Sequence, residues 1–253
     1  MSAQDLPGST ALVTGASRGL GRGIAAALAG AGARVVGVAR DRAGLAEVRE
    51  QLGDGFIPVA ADAADPVVAG RLTDDYRPRV LVLAAGAAPL SRPLQHQTWE
   101  TFSSNWEVDV RQVFHWSREA LLRPLEPGSV VIAFSSGAAL QGSPLSGGYA
   151  GAKATIRFIT GYAADESERA GLGIRFVSVL PKLTPATGLG AAAVAAYAAR
   201  AGLDLASYTE SLGPALTPGH AGKAVAGLVT ASPGPAAAKE AYLLTADGLR
   251  PLS

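Results

Sequence analysis

Short apolar runs alternate with longer segments of helical composition along this chain. Residues 11–13, 35–38, 56–59, 80–83, 130–134, 174–180 and 242–244 are rich in Val, Leu, Ile and Ala. Their length and β-branching predict strands. Residues 20–29, 43–52, 66–76, 98–122 and 149–170 have helical composition. The punctuation agrees. Gly30 and Gly32 close the first helix, Pro124 follows the fourth, and Pro181 stops the sixth strand. Asp65 is a natural N-cap, with Pro66 in the first turn. Val80-Leu81-Val82-Leu83 is apolar on both faces, as a central parallel strand is. Pro58 places its strand near an edge. The alternation predicts an α/β fold in which a doubly wound parallel sheet carries helices on both faces. No linker, repeat or low-complexity segment divides the chain, so residues 1–253 are read as one domain.

The rhythm breaks between 182 and 217, where Ala, Gly, Pro and Thr dominate around one helical stretch near 191–201. This excursion leaves the carboxyl end of a strand, where open α/β sheets bind ligands. It is expected to be a substrate lid rather than a plain surface loop.

Bulk properties narrow the picture. With 48% apolar residues in 253, a sizeable core is expected. The net charge of +1, with acids and bases interspersed, gives no basic stripe for nucleic acid. The absence of cysteine excludes disulfides and thiolate metal sites and fits a reducing compartment. His96, His115 and His220 lack metal-ligand spacing, so no metal is expected; His220 after Thr217-Pro218-Gly219 suits a helix start. Residues 1–8 have neither a basic nor an apolar stretch of the secretory kind, and no apolar run is long enough to span a bilayer. A soluble, cytoplasmic protein is the expectation.

Two motifs carry chemistry. The first is Thr14-Gly15-Ala16-Ser17-Arg18-Gly19-Leu20-Gly21, between a strand and a helix. Its glycines permit tight turning and let backbone N–H groups approach a pyrophosphate, while the helix N-terminus favours negative charge. The spacing is not G-x-G-x-x-G, so the strand before it and the helix behind it give it meaning. Arg18 lies in this loop and Arg40 follows the second strand, beside the expected adenine ribose. Two cations there favour a 2′-phosphate and hence NADP(H); Asp41 keeps NAD(H) as the alternative. Asp62, with Ala63 after the third strand, is a candidate acceptor for the adenine amino group, or a turn aspartate.

The second motif is Ser136, Tyr149 and Lys153. Tyr149 and Lys153 are four apart on a predicted helix and share a face. A free tyrosine ionises near pH 10, too high for acid–base work at neutrality, and a nearby ammonium favours its phenolate. Tyr149 can then protonate an oxygen forming from a carbonyl or deprotonate an alcohol. Ser136, at the end of its strand, can hold that oxygen. No G-x-S-x-G elbow surrounds Ser136, which argues against acyl transfer.

In these motifs, in this order, with Ala85-Gly86 and Pro181 between and after them, the chain resembles the short-chain dehydrogenase/reductases of single-domain Rossmann type. The resemblance covers nearly the whole chain. It implies carbonyl–alcohol interconversion, a ketoreductase-type activity. It also implies that Lys153 binds the nicotinamide ribose and that Gly15, Ser17, Arg18, Gly19, Leu20, Gly21, Arg40, Asp62, Ala63, Ala85, Gly86, Pro181 and Lys182 line the cofactor. Thr184 or Thr187 supplies a further cofactor contact. The helices near 98–123 and 149–170 are the family's usual oligomer surfaces, so a homodimer or homotetramer is implied. Trp99, Trp106 and Trp116 suit packing between helices or subunits, and Tyr197 and Tyr208 are candidates for a substrate pocket.

The chain also departs from the family. Asn-Asn-Ala-Gly is Leu83-Ala84-Ala85-Gly86 here, and apolar packing is expected to replace the lost amides. The fourth catalytic position, an asparagine in the family, is Asp109, whose charge is expected either to pair with Lys153 or to be a tolerated isostere. Pro-Gly is Pro181-Lys182, and Lys182 is expected to meet the nicotinamide amide or a phosphate. Asp-Gly-Gly is Asp247-Gly248-Leu249. These changes motivate a rival reading, a nucleotide-binding regulatory protein with little turnover, and the unusual 182–217 segment permits another, a non-redox tailoring enzyme on the same fold.

Overall fold

The computed structural model describes residues 6–231 and 240–252. Eight strands form one sheet in the order β3-β2-β1-β4-β5-β6-β7-β8. They are β1 (Thr10–Thr14), β2 (Arg34–Ala39), β3 (Phe56–Ala60), β4 (Val80–Leu83), β5 (Val130–Phe134), β6 (Arg175–Pro181), β7 (Glu240–Thr245) and β8 (Gly248–Pro251). The first seven run parallel and β8 returns antiparallel along β7. Pro58 does sit on an edge strand, where its missing N–H removes no ladder bond on the outer side.

The alternating direction of strand side chains divides the interior into two cores. Val13, Val82, Ile132 and Val177 point to one face, against Ile24 and Leu28 of α1 (Gly19–Gly30), Leu45 and Val48 of α2 (Arg42–Leu52) and Val225 of α10 (Pro218–Thr230). Leu12, Leu81, Val131 and Phe176 point to the other, against Leu72 of α3 (Pro66–Tyr76), Trp116 of α5 (Arg111–Leu122) and Ile156 of α7 (Gly147–Arg169). Both faces of the central strands are therefore dry, which is why they read as unbroken apolar runs. Close helix packing adds to the first core. A Cβ on Gly23 would meet the Pro218 carbonyl oxygen at 2.2 Å, and one on Gly222 the Gly23 oxygen at 2.3 Å.

Most element boundaries fall within one or two residues of the expected ones. Asp65 caps α3 through Val67 N–H, and Thr217 and His220 form a reciprocal cap on α10. The stretch expected as a single helix over 98–122 is instead α4 (Trp99–Asn105), a π-helical segment (Trp106–Val110) and α5. Period alone does not reveal one inserted residue per turn. Three short elements carry too weak a period to be read from sequence: α6 (Ala138–Gln141), α9 (Leu205–Ser211) and β8. Residues 182–217 do leave the carboxyl edge of the sheet, carrying α8 (Gly188–Ala201) and α9. Among the described residues no single helix is long and apolar enough to cross a membrane; α8 and α9 are apolar together but bend by 105°.

All parallel strands end on one edge, and the strand order reverses between β1 and β4. That reversal opens a crevice at the carboxyl edge. The residues that follow β1, β2, β3, β4, β5 and β6 all converge there.

Candidate active site

The loop after β1 turns back on itself at Gly15, whose φ is +71° and whose N–H donates to the Val38 carbonyl at 2.8 Å. A Cβ on Gly15 would lie 2.8 Å from Ala85 Cα, and one on Gly21 would lie 2.2 Å from the Gly15 oxygen. The loop therefore closes only with glycine at both positions. Gly19 also has a positive φ, +55°, and a Cβ there would come to within 3.8 Å of the Thr187 side chain. Ser17 is buried, Leu20 is half-buried and Arg18 is exposed.

The first turn of α1, like those of α5, α6 and α7, has no side-chain cap, whereas six other helices among the described residues are capped. Asp41, Asp65, Thr98, Thr187, Asp204 and Thr217 each cap a helix with a side-chain oxygen. At α1 the N-cap is Arg18, without a side-chain cap, and the first turn has no acid. The first N–H groups of a helix have no intrahelical acceptor, so this end is left ready for an anion. Together with the glycine cradle it fits the pyrophosphate of a dinucleotide.

The end of β2 carries Arg40, exposed like Arg18. Neither guanidinium has a carboxylate or hydrogen-bond partner among the described residues. Asp41, by contrast, is occupied: its side chain accepts from Gly44 N–H at 3.0 Å. Asp62 is exposed and accepts from Ala64 N–H at 2.9 Å, the turn role, while the Ala63 carbonyl accepts from Trp116 Nε1–H at 2.8 Å.

Apolar packing does replace the missing amides: Leu83 is buried in one core and Ala84 packs against the other. The backbone of Ala84–Ala87, however, is held by polar side chains. Thr14 Oγ1 accepts from the N–H groups of Ala84 (3.0 Å) and Ala85 (3.1 Å) and donates to Gln112 Oε1 (2.9 Å). Gln112 Nε2–H in turn donates to the Ala85 carbonyl. Asn105 Nδ2–H donates to the Ala87 carbonyl at 2.8 Å, and Asp109 Oδ1 accepts from Ala87 N–H at 2.8 Å. Asn105 and Gln112 were missed in the sequence, although with Asp109 they form an i, i+4, i+7 polar stripe on an otherwise core-facing helix. The buried backbone polar groups of the loop need such partners.

Tyr149 and Lys153 share a face of α7, with the Lys153 Nζ 5.5 Å from the centre of the Tyr149 ring. Lys153 is buried and donates to the Phe134 carbonyl at 3.0 Å. Its Nζ also lies 3.1 Å from Asp109 Oδ2 in a fully buried ion pair, although off the line of a well-formed hydrogen bond. Burial alone penalises the Lys153 ammonium. The charge of Asp109, and then that of Tyr149, outweigh it and hold the amine above the ordinary lysine range. Ser135, a buried neighbour missed in the sequence, ties α7 to β5 by donating to the Lys153 carbonyl at 2.7 Å. Ser136 is half-buried at the head of the next turn and accepts from Ala138 N–H at 3.2 Å.

Beyond β6, the Pro181 carbonyl accepts from Gly137 N–H at 2.9 Å. The Lys182 ammonium donates to the Leu212 carbonyl at 2.8 Å, so it braces the 182–217 excursion rather than turning into the cradle. Thr184 is buried and donates to the Leu216 carbonyl at 2.9 Å, whereas Thr187 caps α8 beside Gly19. Tyr197 of α8 is hydrogen-bonded to Ser143, in the loop between Ser136 and Tyr149. A recess of about 260 Å³ lined by Leu94, Gln97, Phe102, Ser143, Pro144 and Gly147 lies beside the start of α7.

This fold and these motifs have counterparts among known proteins. The family model described as short chain dehydrogenase matches residues 9–199. The chain belongs to the short-chain dehydrogenase/reductase family. It is 34% identical over 174 residues to an uncharacterized short-chain type dehydrogenase/reductase of Sinorhizobium fredii, an alignment covering 68% of each chain. With other curated reductases the aligned part ranges from about half to about three quarters of their length. Among solved structures, the chain is similar to a 3-ketoacyl-(acyl-carrier-protein) reductase from Brucella melitensis complexed with NADH. That match has a TM-score of 0.74 and 27% identity, and it covers 88% of this chain and 91% of that one. A putative NAD(P) dependent gluconate 5-dehydrogenase from Beutenbergia cavernae with bound NADP gives a TM-score of 0.76 and 28% identity, over 89% and 91% of the two chains.

Proposed function

We propose that this protein is an NADP(H)-dependent oxidoreductase that interconverts a ketone or aldehyde and an alcohol. The observation that carries the reading is the Tyr149–Lys153 pair at the carboxyl edge of the sheet, one loop from the glycine cradle. Tyr149 is the acid–base group: it gives its proton to the substrate oxygen in the reductive direction and takes one back from the alcohol in the other. Ser136 anchors that oxygen, and Lys153 fixes the charge around the phenol and offers a donor to the nicotinamide ribose. The nicotinamide, when bound, supplies or accepts the hydride. Gly15, Ser17, Arg18, Gly19, Leu20 and Gly21 hold the pyrophosphate, Ala85, Gly86 and Pro181 border the nicotinamide half, and Asp62 with Ala63 borders the adenine.

The preference for NADP(H) rests on Arg18 and Arg40, which are free, and on Asp41, which is engaged as a helix cap. Solved relatives carry either NADH or NADP. Residues 182–217 are assigned as the substrate lid, supported by the Tyr197–Ser143 bond and by Thr187 over Gly19. A homodimer or homotetramer is supported by the exposed apolar residues Trp99 and Phe114 on the α4–α5 side and Phe158 and Tyr162 on α7.

The test is a mixture of the protein with NADPH and a panel of quinones, diketones and cyclic ketones, together with cellular extract. Consumption is followed at the absorbance band of the reduced cofactor. Turnover that runs faster with NADPH than with NADH is expected. Tight NADPH binding with no turnover across the panel would favour the regulatory reading instead.

A further inference from the structure

The Asp109–Lys153 pair changes the charge around Tyr149. The residue that the resemblance aligns with an asparagine is a carboxylate here, and the lysine stands 3.1 Å from it in a fully buried setting. The surroundings of Asp109 are those of a carboxylate: Oδ1 accepts from Ala87 N–H and, at 3.5 Å, from Asn105 Nδ2, while Oδ2 faces the ammonium. Among the described residues, the elements packed around this corner add no other charge that acts on Lys153. β5 contributes the Phe134 carbonyl and α7 contributes Tyr149 itself. The neighbouring side chains of β1 and α5 are Thr14 and Gln112, and that of α4 is Asn105, all uncharged. Asp109 and Lys153 thus form an isolated neutral pair. Coulomb attraction between an ammonium and a phenolate is what favours ionisation of a tyrosine, and a carboxylate at contact distance from that ammonium cancels most of it.

We propose that Asp109 is a positioning residue that neutralises Lys153, so that Tyr149 keeps its proton to higher pH than an unpaired lysine would allow. This rests on the reading of Tyr149 as the acid–base group. Its consequence is that reduction persists into alkaline solution, while alcohol oxidation needs a higher pH to begin.

The test is a spectroscopic titration of the protein without cofactor, following tyrosinate absorbance and subtracting the same titration of Tyr149→Phe. It reads Tyr149 alone among the six tyrosines and does not depend on turnover, so it stays informative even if no substrate is found. In Asp109→Asn the Tyr149 midpoint falls by about one pH unit or more, and the alkaline limb of reduction moves down with it. An unchanged midpoint in a folded variant overturns the proposal. Removing one member of a buried pair is strongly destabilising, so a second variant guards against a failure to fold. In Asp109→Asn with Lys153→Gln both charges are gone, and the midpoint stays within about half a unit of the wild-type value. A rise of about one unit or more in that double variant shows that Lys153 acts on Tyr149 despite Asp109, and overturns the proposal equally.

Discussion

Two loops meet at the crevice, and they are built in opposite ways. The loop after β1 owes its shape to its own residues: Gly15 and Gly21 close on each other, and no Cβ fits at either. The loop after β4 is Ala84-Ala85-Gly86-Ala87, with little of its own to fix a conformation. Its partners, Thr14, Asn105, Asp109 and Gln112, come from 18 to 71 residues away in sequence. The first loop is encoded locally and the second by tertiary contacts. The contrast explains how one family position can lose its amides while the loop it supports survives.

The largest effect is expected in the locally encoded loop. Gly21→Val forces a side chain onto the Gly15 oxygen and leaves no flexible neighbour to yield. It should cost about 3 kcal/mol or more, a drop of roughly 6–12 °C in a thermal melt, with loss of NADPH binding. A variant that melts like wild type and binds NADPH would show that the cradle is looser than its packing implies.

Gln112→Leu breaks the other loop. It leaves the Ala85 carbonyl and the Thr14 hydroxyl short of a partner in a dry setting, which costs about 1–3 kcal/mol. Denaturant unfolding should detect this loss, and NADPH affinity should weaken because Ala85 and Gly86 border the nicotinamide half. If stability were unchanged, apolar packing would be enough to hold the loop, as the sequence suggested.

The smallest effect sharpens the comparison at the cradle's outer rim. Arg40 is exposed and contributes no packing, so Arg40→Ala should leave stability within about 0.5 kcal/mol of wild type. It should weaken NADPH about tenfold while leaving NADH nearly unchanged, roughly 1.4 kcal/mol of discrimination. Equal losses for the two cofactors in a binding titration would remove the 2′-phosphate role.

The same contrast marks what was legible in the sequence. The strands, the helix cap at Asp65, the helix start around His220 and the glycine cradle depend on neighbours along the chain, and each was readable from composition and spacing. The partners of the loop after β4 were not. A polar residue on a helix face does not reveal which distant carbonyl it meets, and the π-helical segment that re-aims Asp109 inserts no break in the pattern. The carbonyl partner of Lys182 was hidden for a similar reason: Leu212 lies 30 positions downstream in an excursion with weak periodicity. The pairing of Asp109 with Lys153 was one of two expectations, and only the fold chose between them.

The central claim is that Tyr149 performs proton transfer in a site otherwise complete without its hydroxyl. The most direct measurement compares Tyr149→Phe with wild type for NADPH binding and for carbonyl reduction in the same preparation. NADPH affinity is expected to stay within about threefold of wild type and turnover to fall by roughly a factor of a thousand. Turnover that survives in Tyr149→Phe would contradict the claim.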